Sequence, residues 1–348
     1  MLYHGTRRHN HYVRRPDPHE MTTFKTKGNP VHVYLDQRNW IELARAFHER
    51  DDGLRFVPAL TELQRAVDNR RVILPLSDTH LIETRKRIDL ASRSRLAQTM
   101  STLSKGWTIA PNNAVTRFEL RAEIATAFNH ASIKRPQVFA RGITHAFGFG
   151  ATLKNLEGQT LEMPEIMRAH ADEFMSQKAV IEDFLCGGDQ SVNLSAVEKF
   201  RIGQDRIAKM QEQFRKEARS HGHQVHKRAC VANLTLAIQS ELAPMLANIG
   251  KTWQDFLALG KDGLMDFFSH IPTLDVETEL VVARNENWNK KIDANDSSDV
   301  TFLSVAIPYC DIVVTEKCWR HHAQKAKLDN RYDTVILDDL LDLQTYLN

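Results

Sequence analysis

Six acidic residues, Asp36, Glu83, Asp296, Asp299, Asp311 and Glu316, stand beside short apolar runs or helix starts, where a fold could gather them. Carboxylates brought together repel one another and hold protons more tightly unless a cation neutralises them. Oxygen donors of this kind select hard divalent ions, Mg²⁺ or Mn²⁺. A metal held there can activate a water and offset charge building on phosphorus, so the chemistry these residues suit is phosphodiester hydrolysis without a covalent intermediate.

The elements that must position them lie near both ends of the chain. Val31-His32-Val33-Tyr34-Leu35 reads as a strand that ends at Asp36 and hands over to a helix. In that helix Trp40, Leu43, Ala44 and Phe47 share one apolar face. Val72-Ile73-Leu74-Pro75-Leu76 suits a buried strand, and Ser77 or Asp78 can cap the next helix, which carries Glu83 and then Arg85-Lys86-Arg87. Later, Asp296-Ser297-Ser298-Asp299 precedes a helical stretch over 300–307. Ile312-Val313-Val314 reads as a strand followed at once by Thr315-Glu316. Residues 332–337 give a further short strand, and Leu340, Leu341, Leu343 and Leu347 suit a closing helix. Strands alternating with helices predict an α/β fold, a parallel sheet with helices on its faces, whose functional groups gather beyond the carboxyl ends of the strands.

Between these parts, residues 111–270 are rich in Ala, Leu, Glu, Gln, Arg and Lys and read as an all-helical insertion or cap. Its helices include 195–222 and 226–249, with glycine breaks at 148–150 and 187–188. The division expected is a basic arm over 1–27, an α/β domain in two parts over 28–110 and 271–348, and the helical middle. The arm carries Arg7, Arg8, Arg14, Arg15, Lys25 and Lys27 against Asp17 and Glu20, with Pro16 and Pro18 interrupting any helix. A flexible tail, a nucleic-acid arm and a clip on a partner subunit all fit that charge.

Composition sets outer limits. With 348 residues, 42% hydrophobic and 26% charged, the chain is too apolar for wholesale disorder and long enough for about two domains. A formal charge of +2 provides no global field for a polyanion, so any nucleic-acid contact is local. Cys186, Cys230, Cys310 and Cys318 are too scattered for a disulfide scaffold and form no C-x-x-C pair. No apolar run reaches the length of a membrane span, and residues 1–27 lack the apolar core of a signal peptide, so a cytoplasmic protein is expected.

The order strand-Asp36-helix, strand-Ser77 through Glu83, Asp299 at a helix start and Val-Val-Thr-Glu316 resembles the PIN-domain nucleases, as does the seventeen-residue step from Asp299 to Glu316. The resemblance covers about residues 31–110 and 271–348. It implies a Rossmann-type three-layer fold with a central parallel sheet, dependence on Mg²⁺ or Mn²⁺, and cleavage of single-stranded or structured RNA. It also suggests a toxin or defence role with an antitoxin or other regulatory partner. Asp36, Glu83, Asp299 and Glu316 would then be the catalytic metal ligands, Asp296 and Asp311 competing for the later positions. Glu316 departs from the family pattern, where an Asp is usual, by one methylene. Ser77, Asn295 and Thr315 would orient ligands or a water, and Arg85, Lys86 and Arg87 would hold phosphates. A homo-oligomer is compatible with this reading.

Simpler roles exist for each residue. Asp36 could cap its helix, Glu83 could complement a helix dipole, and Asp296 with Asp299 has the spacing of a capping pair. A non-catalytic scaffold binding nucleic acid or protein is therefore the main rival, and a DNA or flap nuclease the next. Other chemistries fit less well. His221, His223 and His226 could bind zinc but lie in a polar stretch that suits surface histidines. No phosphate-binding Gly-x-x-x-x-Gly-Lys-Ser/Thr occurs, and Gly148-Phe149-Gly150 lacks a third glycine. A haloacid-dehalogenase-like phosphatase would want an Asp where Arg38 stands.

Overall fold

The structure, a computed structural model, describes residues 30–131, 137–148, 153–154, 160–161, 164–187, 190–218, 222–288 and 290–347. The basic arm, the 149–150 and 188 glycine-break positions and His221 lie outside the described residues.

A small parallel sheet organises the chain. Strands β1 (Val31–Leu35) and β2 (Val72–Ile73) pair in parallel, with His32 opposite Ile73. Two further strands, Ile312–Val314 and Val335–Leu337, complete the sheet on the other side of β1. Between them in sequence come β3 (Trp107–Ile109), β4 (Phe139–Arg141), β5 (Leu153–Lys154) and β6 (Thr160–Leu161), so the late strands are β7 and β8. The order is β2-β1-β7-β8, with Leu35 opposite Val314 and Val314 opposite Leu337. β3 extends this edge through one parallel bridge: Leu76 N donates to Trp107 O (3.0 Å) and Ile109 N to Leu76 O (3.0 Å).

Alternation along the strands feeds two apolar layers. Val33, Leu35, Val72, Leu74, Val314 and Leu337 point to one, where Trp40, Leu43, Leu63 and Leu96 arrive from helices Gln37–Phe47, Val57–Asp68 and Leu90–Ser104. Tyr34, Val313 and Ile336 point to the other, against Leu280, Leu303, Ile307 and Trp319 from helices Pro272–Asn285, Asp296–Tyr309 and Lys317–Lys325. The strand residues are apolar on both faces because helices cover both, as a parallel sheet requires.

Several expectations need correction. The middle is mostly helical but not wholly so: β4 pairs antiparallel with β3, and β5 with β6. Nor is it segregated from the sheet. Ile181 and Leu185 of helix Lys178–Cys186 join the first layer, and Val115 of helix Asn112–Ala127 joins the second. A third apolar cluster, around Leu120, Val231, Leu242, Phe256 and Phe267, joins helix Asn112–Ala127 to the middle helices between His223 and Ser269. The expected 195–222 helix runs Gln190–Ala218. The stretch expected as one helix over 226–249 is two, His223–Ala237 and Gln239–Ala247, bent by 64°, with Pro244 removing a backbone donor just past the break. Over 332–337 only Val335–Leu337 is extended. Leu328–Tyr332 is helical and ends at Asp333, whose φ of 49° is left-handed. Among the described residues no single helix is long and apolar enough to cross a membrane.

Candidate functional site

The sheet order reverses direction between β1 and β7. From β1 the chain moves outward to β2, and it returns on the other side of β1 as β7. The carboxyl ends of two strands that part in this way leave a crevice that helices cannot fill, the usual ligand position in open parallel sheets. Asp36 leaves β1 at this point, and Thr315 and Glu316 leave β7.

Asp36 is fixed from several directions. Its backbone N–H donates to Val314 O (3.0 Å), and so does Asn39 Nδ2 (3.1 Å), which ties the start of the helix to β7. Its side chain caps that helix: Oδ1 accepts from Arg38 N (2.9 Å), Asn39 N (3.2 Å) and Asn39 Nδ2 (3.1 Å). No described residue donates to Oδ2. Burial pushes the carboxyl up to about 7; the cap bonds oppose this and the charge of Glu316 adds to it.

Asp299 comes from the first turn of helix Asp296–Tyr309, and its Oδ2 accepts from Trp319 Nε1 (2.8 Å). It too is pushed up to about 7, first by burial and then by repulsion from Glu316, Asp296 and Asp36. Glu316 is exposed at the start of helix Lys317–Lys325, where its side chain caps nothing, and its charge reaches both aspartates. The structure thus brings Asp36, Asp299 and Glu316 into one electrostatic neighbourhood.

Asp296 stands behind them in a more structural position. It is buried, its Oδ2 accepts from Asp293 N (2.9 Å), and Lys290 Nζ lies 3.6 Å from Oδ1. Thr315 is 3% exposed and its hydroxyl has no hydrogen-bond partner among the described residues. A buried hydroxyl at the end of a central strand calls for a partner that the described residues do not supply.

The remaining sequence candidates border the crevice or lie away from it. Glu83 is half-buried and raised by burial, with Lys86 acting against the shift. Its field, like that of Asp78, meets Asp36 at the buried Tyr34 phenol rather than directly. Asp311 is a correction: it opens β7 at the opposite edge, where its Oδ2 accepts from His32 N (2.7 Å), because a residue before a parallel strand lies at the amino end. Ser77 caps helix Asp78–Arg85 in a reciprocal box with His80, its hydroxyl 3.3 Å from Tyr34 OH. Asn295 is exposed and engages through its backbone, accepting from Asp299 N (3.0 Å). Arg85 lies over the Phe184 ring (4.7 Å) and reaches Gly187 O, while Arg87 donates to Ser92 Oγ (3.3 Å). Two of the basic cluster are thus spent on neighbouring helices. Sequence reasoning missed Trp319 and Asn39, the residues that orient Asp299 and Asp36. For Asn39 a signal existed, since an amide three residues after a capping Asp can reach back to it.

The donor set is made of hard carboxylate oxygens and one hydroxyl, which suits Mg²⁺ or Mn²⁺. Among the described residues no three His, Cys, Asp or Glu side chains are drawn close enough to hold one ion as they stand.

The raised carboxyls make a pH prediction. Asp36, Asp299 and the buried Glu119 sit at about 7 in the folded chain and well below that when unfolded. Between those values the folded state holds more protons. Their contribution is therefore complete only below the unfolded carboxyl range of about 4, declines progressively through mild acid and is gone above about 7. The melting temperature of metal-free protein is expected to fall from pH 5 to pH 8, and a flat or rising profile would contradict the assignment.

No protein-family model, curated protein or solved structure matches this chain, so its functional reading rests on the crevice itself.

Proposed function

We propose that the chain is a metal-dependent ribonuclease whose catalytic carboxylates are Asp36, Asp299 and Glu316, in a domain of the PIN-like, Rossmann-type kind. The observation that carries the reading is the convergence of these acids at the β1/β7 switch point, with two of them held near 7 by burial and mutual repulsion. A structure tolerates such repulsion where a cation relieves it. Mg²⁺ or Mn²⁺, when bound there, supplies a nucleophilic water and stabilises charge on the phosphate.

The chain's own contribution is positioning. The cap bonds on Oδ1 lock the Asp36 rotamer and leave Oδ2 for a ligand. Trp319 does the same for Asp299 by holding one oxygen. Glu316, exposed and longer by a methylene than Asp, can swing to meet either. The Thr315 hydroxyl, unsatisfied among the described residues, would orient a water or a phosphate oxygen. Glu83 and Lys86 border the site on the Tyr34 side and would meet substrate rather than the first ion. The middle helices would select the RNA, and a regulatory protein of the antitoxin type is a compatible partner.

The direct test is to incubate purified protein with a mixed RNA pool, with Mn²⁺ and with chelator. Cleavage only with the metal is expected. Cleavage that ignores chelator would end the metal proposal, RNA binding without cleavage would favour the scaffold, and cleavage confined to DNA would change the substrate.

A further inference from the structure

Helices Gln190–Ala218, His223–Ala237 and Pro272–Asn285 enclose a cleft of about 380 Å³ that shares no residue with the switch-point crevice. Its walls are Ile207, Met210, Phe214, Leu234 and Val281, with Cys230 buried among them. Glu277 and Thr278 also line it. The volume falls in the range of small-molecule sites, which combine apolar walls with a few polar groups.

Among the polar residues on its lining, Gln211 and Asn285 are engaged by Arg284, whereas Glu277 is left without a described partner. Glu277 is half-buried at the cleft wall, no described residue gives it an ion pair or a hydrogen bond, and its partial burial raises its carboxyl to about 7. Thr278 beside it is 3% exposed, its hydroxyl sealed beneath the lining and without a hydrogen-bond partner among the described residues. The nearby cations are committed elsewhere. Lys227 pairs with Glu279 (2.6 Å), and Arg284, at the far end, is held by Gln211 Oε1 (2.9 Å) and Asn285 Oδ1. A carboxylate facing apolar walls weakens a fold unless something positive meets it.

We propose that this cleft binds a small amphiphilic cation, an aryl or alkyl body carrying a primary ammonium that pairs with Glu277. The walls take the apolar body, and the ammonium supplies the charge that Glu277 lacks.

Two probes sharing one fluorophore test this: dansylcadaverine, which carries an ammonium, and dansylglycine, which carries a carboxylate. Fluorescence titration should show the cation binding at least about tenfold more tightly, the worth of one charge-assisted contact. Glu277→Gln should erase that preference while keeping the melting temperature or raising it. Phe214→Ala should weaken both probes together. Equal affinity for the two probes, binding of neither, or a preference that survives in Glu277→Gln would overturn the proposal. Met210 on the cleft wall is 65% exposed. Concentration-dependent dimerisation that displaces the probe, measured by sedimentation, would assign the cleft to a second copy of the chain instead.

Discussion

Asp36→Asn is expected to reduce metal-dependent RNA cleavage by on the order of 100-fold or more, as losing one group that bears on developing charge commonly does. The melting temperature should stay level or rise. Asparagine keeps an oxygen for the cap bonds from Arg38 and Asn39, and it is among the best capping residues. It also removes a charge that burial and Glu316 both disfavour. A carboxylate that serves the fold alone would behave oppositely, costing stability when neutralised. Paired cleavage assays and thermal melts separate the cases: a stable variant with full activity would remove Asp36 from the chemistry. Asp299→Asn should follow the same pattern, since its amide oxygen can still accept from Trp319.

The largest stability effect is expected at Asp275. This buried carboxylate on helix Pro272–Asn285 accepts from Arg331 and from Tyr332 OH (2.8 Å), which anchor the short helix leading into β8. Glu279, one turn on, meets Arg331 (3.3 Å) and Lys227 (2.6 Å), so one helix fastens both the end of the sheet and helix His223–Ala237. Asp275→Ala leaves the Tyr332 hydroxyl unsatisfied and strips Arg331 of its principal partner. The cost should be about 3 kcal/mol, the lower end for a broken buried pair because Arg331 keeps some contact with solvent. Denaturant titration reads it directly, and a loss below about 1 kcal/mol would show that the network carries little. Asp275→Asn should cost less, since the tyrosine bond can persist.

The edge of the sheet was legible because its logic is local. Val31–Leu35 and Ile312–Val314 are apolar runs that stop at an acid, and strand direction alone puts both acids at one edge. Asp299 followed from the helix that feeds the second run. Asp311 illustrates the limit of reading by proximity: it is only one residue from β7, yet on the wrong side of it. Glu83 and the basic cluster depend on where a helix rotates and on what returns to cover it. Phe184, about a hundred residues later, takes up Arg85 (4.7 Å), and nothing near Arg85 in sequence announces that. The middle was readable as helices from composition, but its sharing of apolar layers with the sheet depends on non-local packing at Ile181, Leu185 and Val115.

Val33 and Tyr34 lie directly opposite Ile312 and Val313, and His32 meets Asp311 across 279 positions of chain. The two halves of the crevice are thus made far apart in translation. At 5–20 residues per second, a ribosome that has released the first strand needs roughly 15–60 s to deliver its neighbour. Closing so long a loop adds a further entropic delay. Throughout that interval a nascent polypeptide carries Asp36 without Asp299 or Glu316, so an activity hazardous to RNA would stay switched off beside the very message and ribosome producing it.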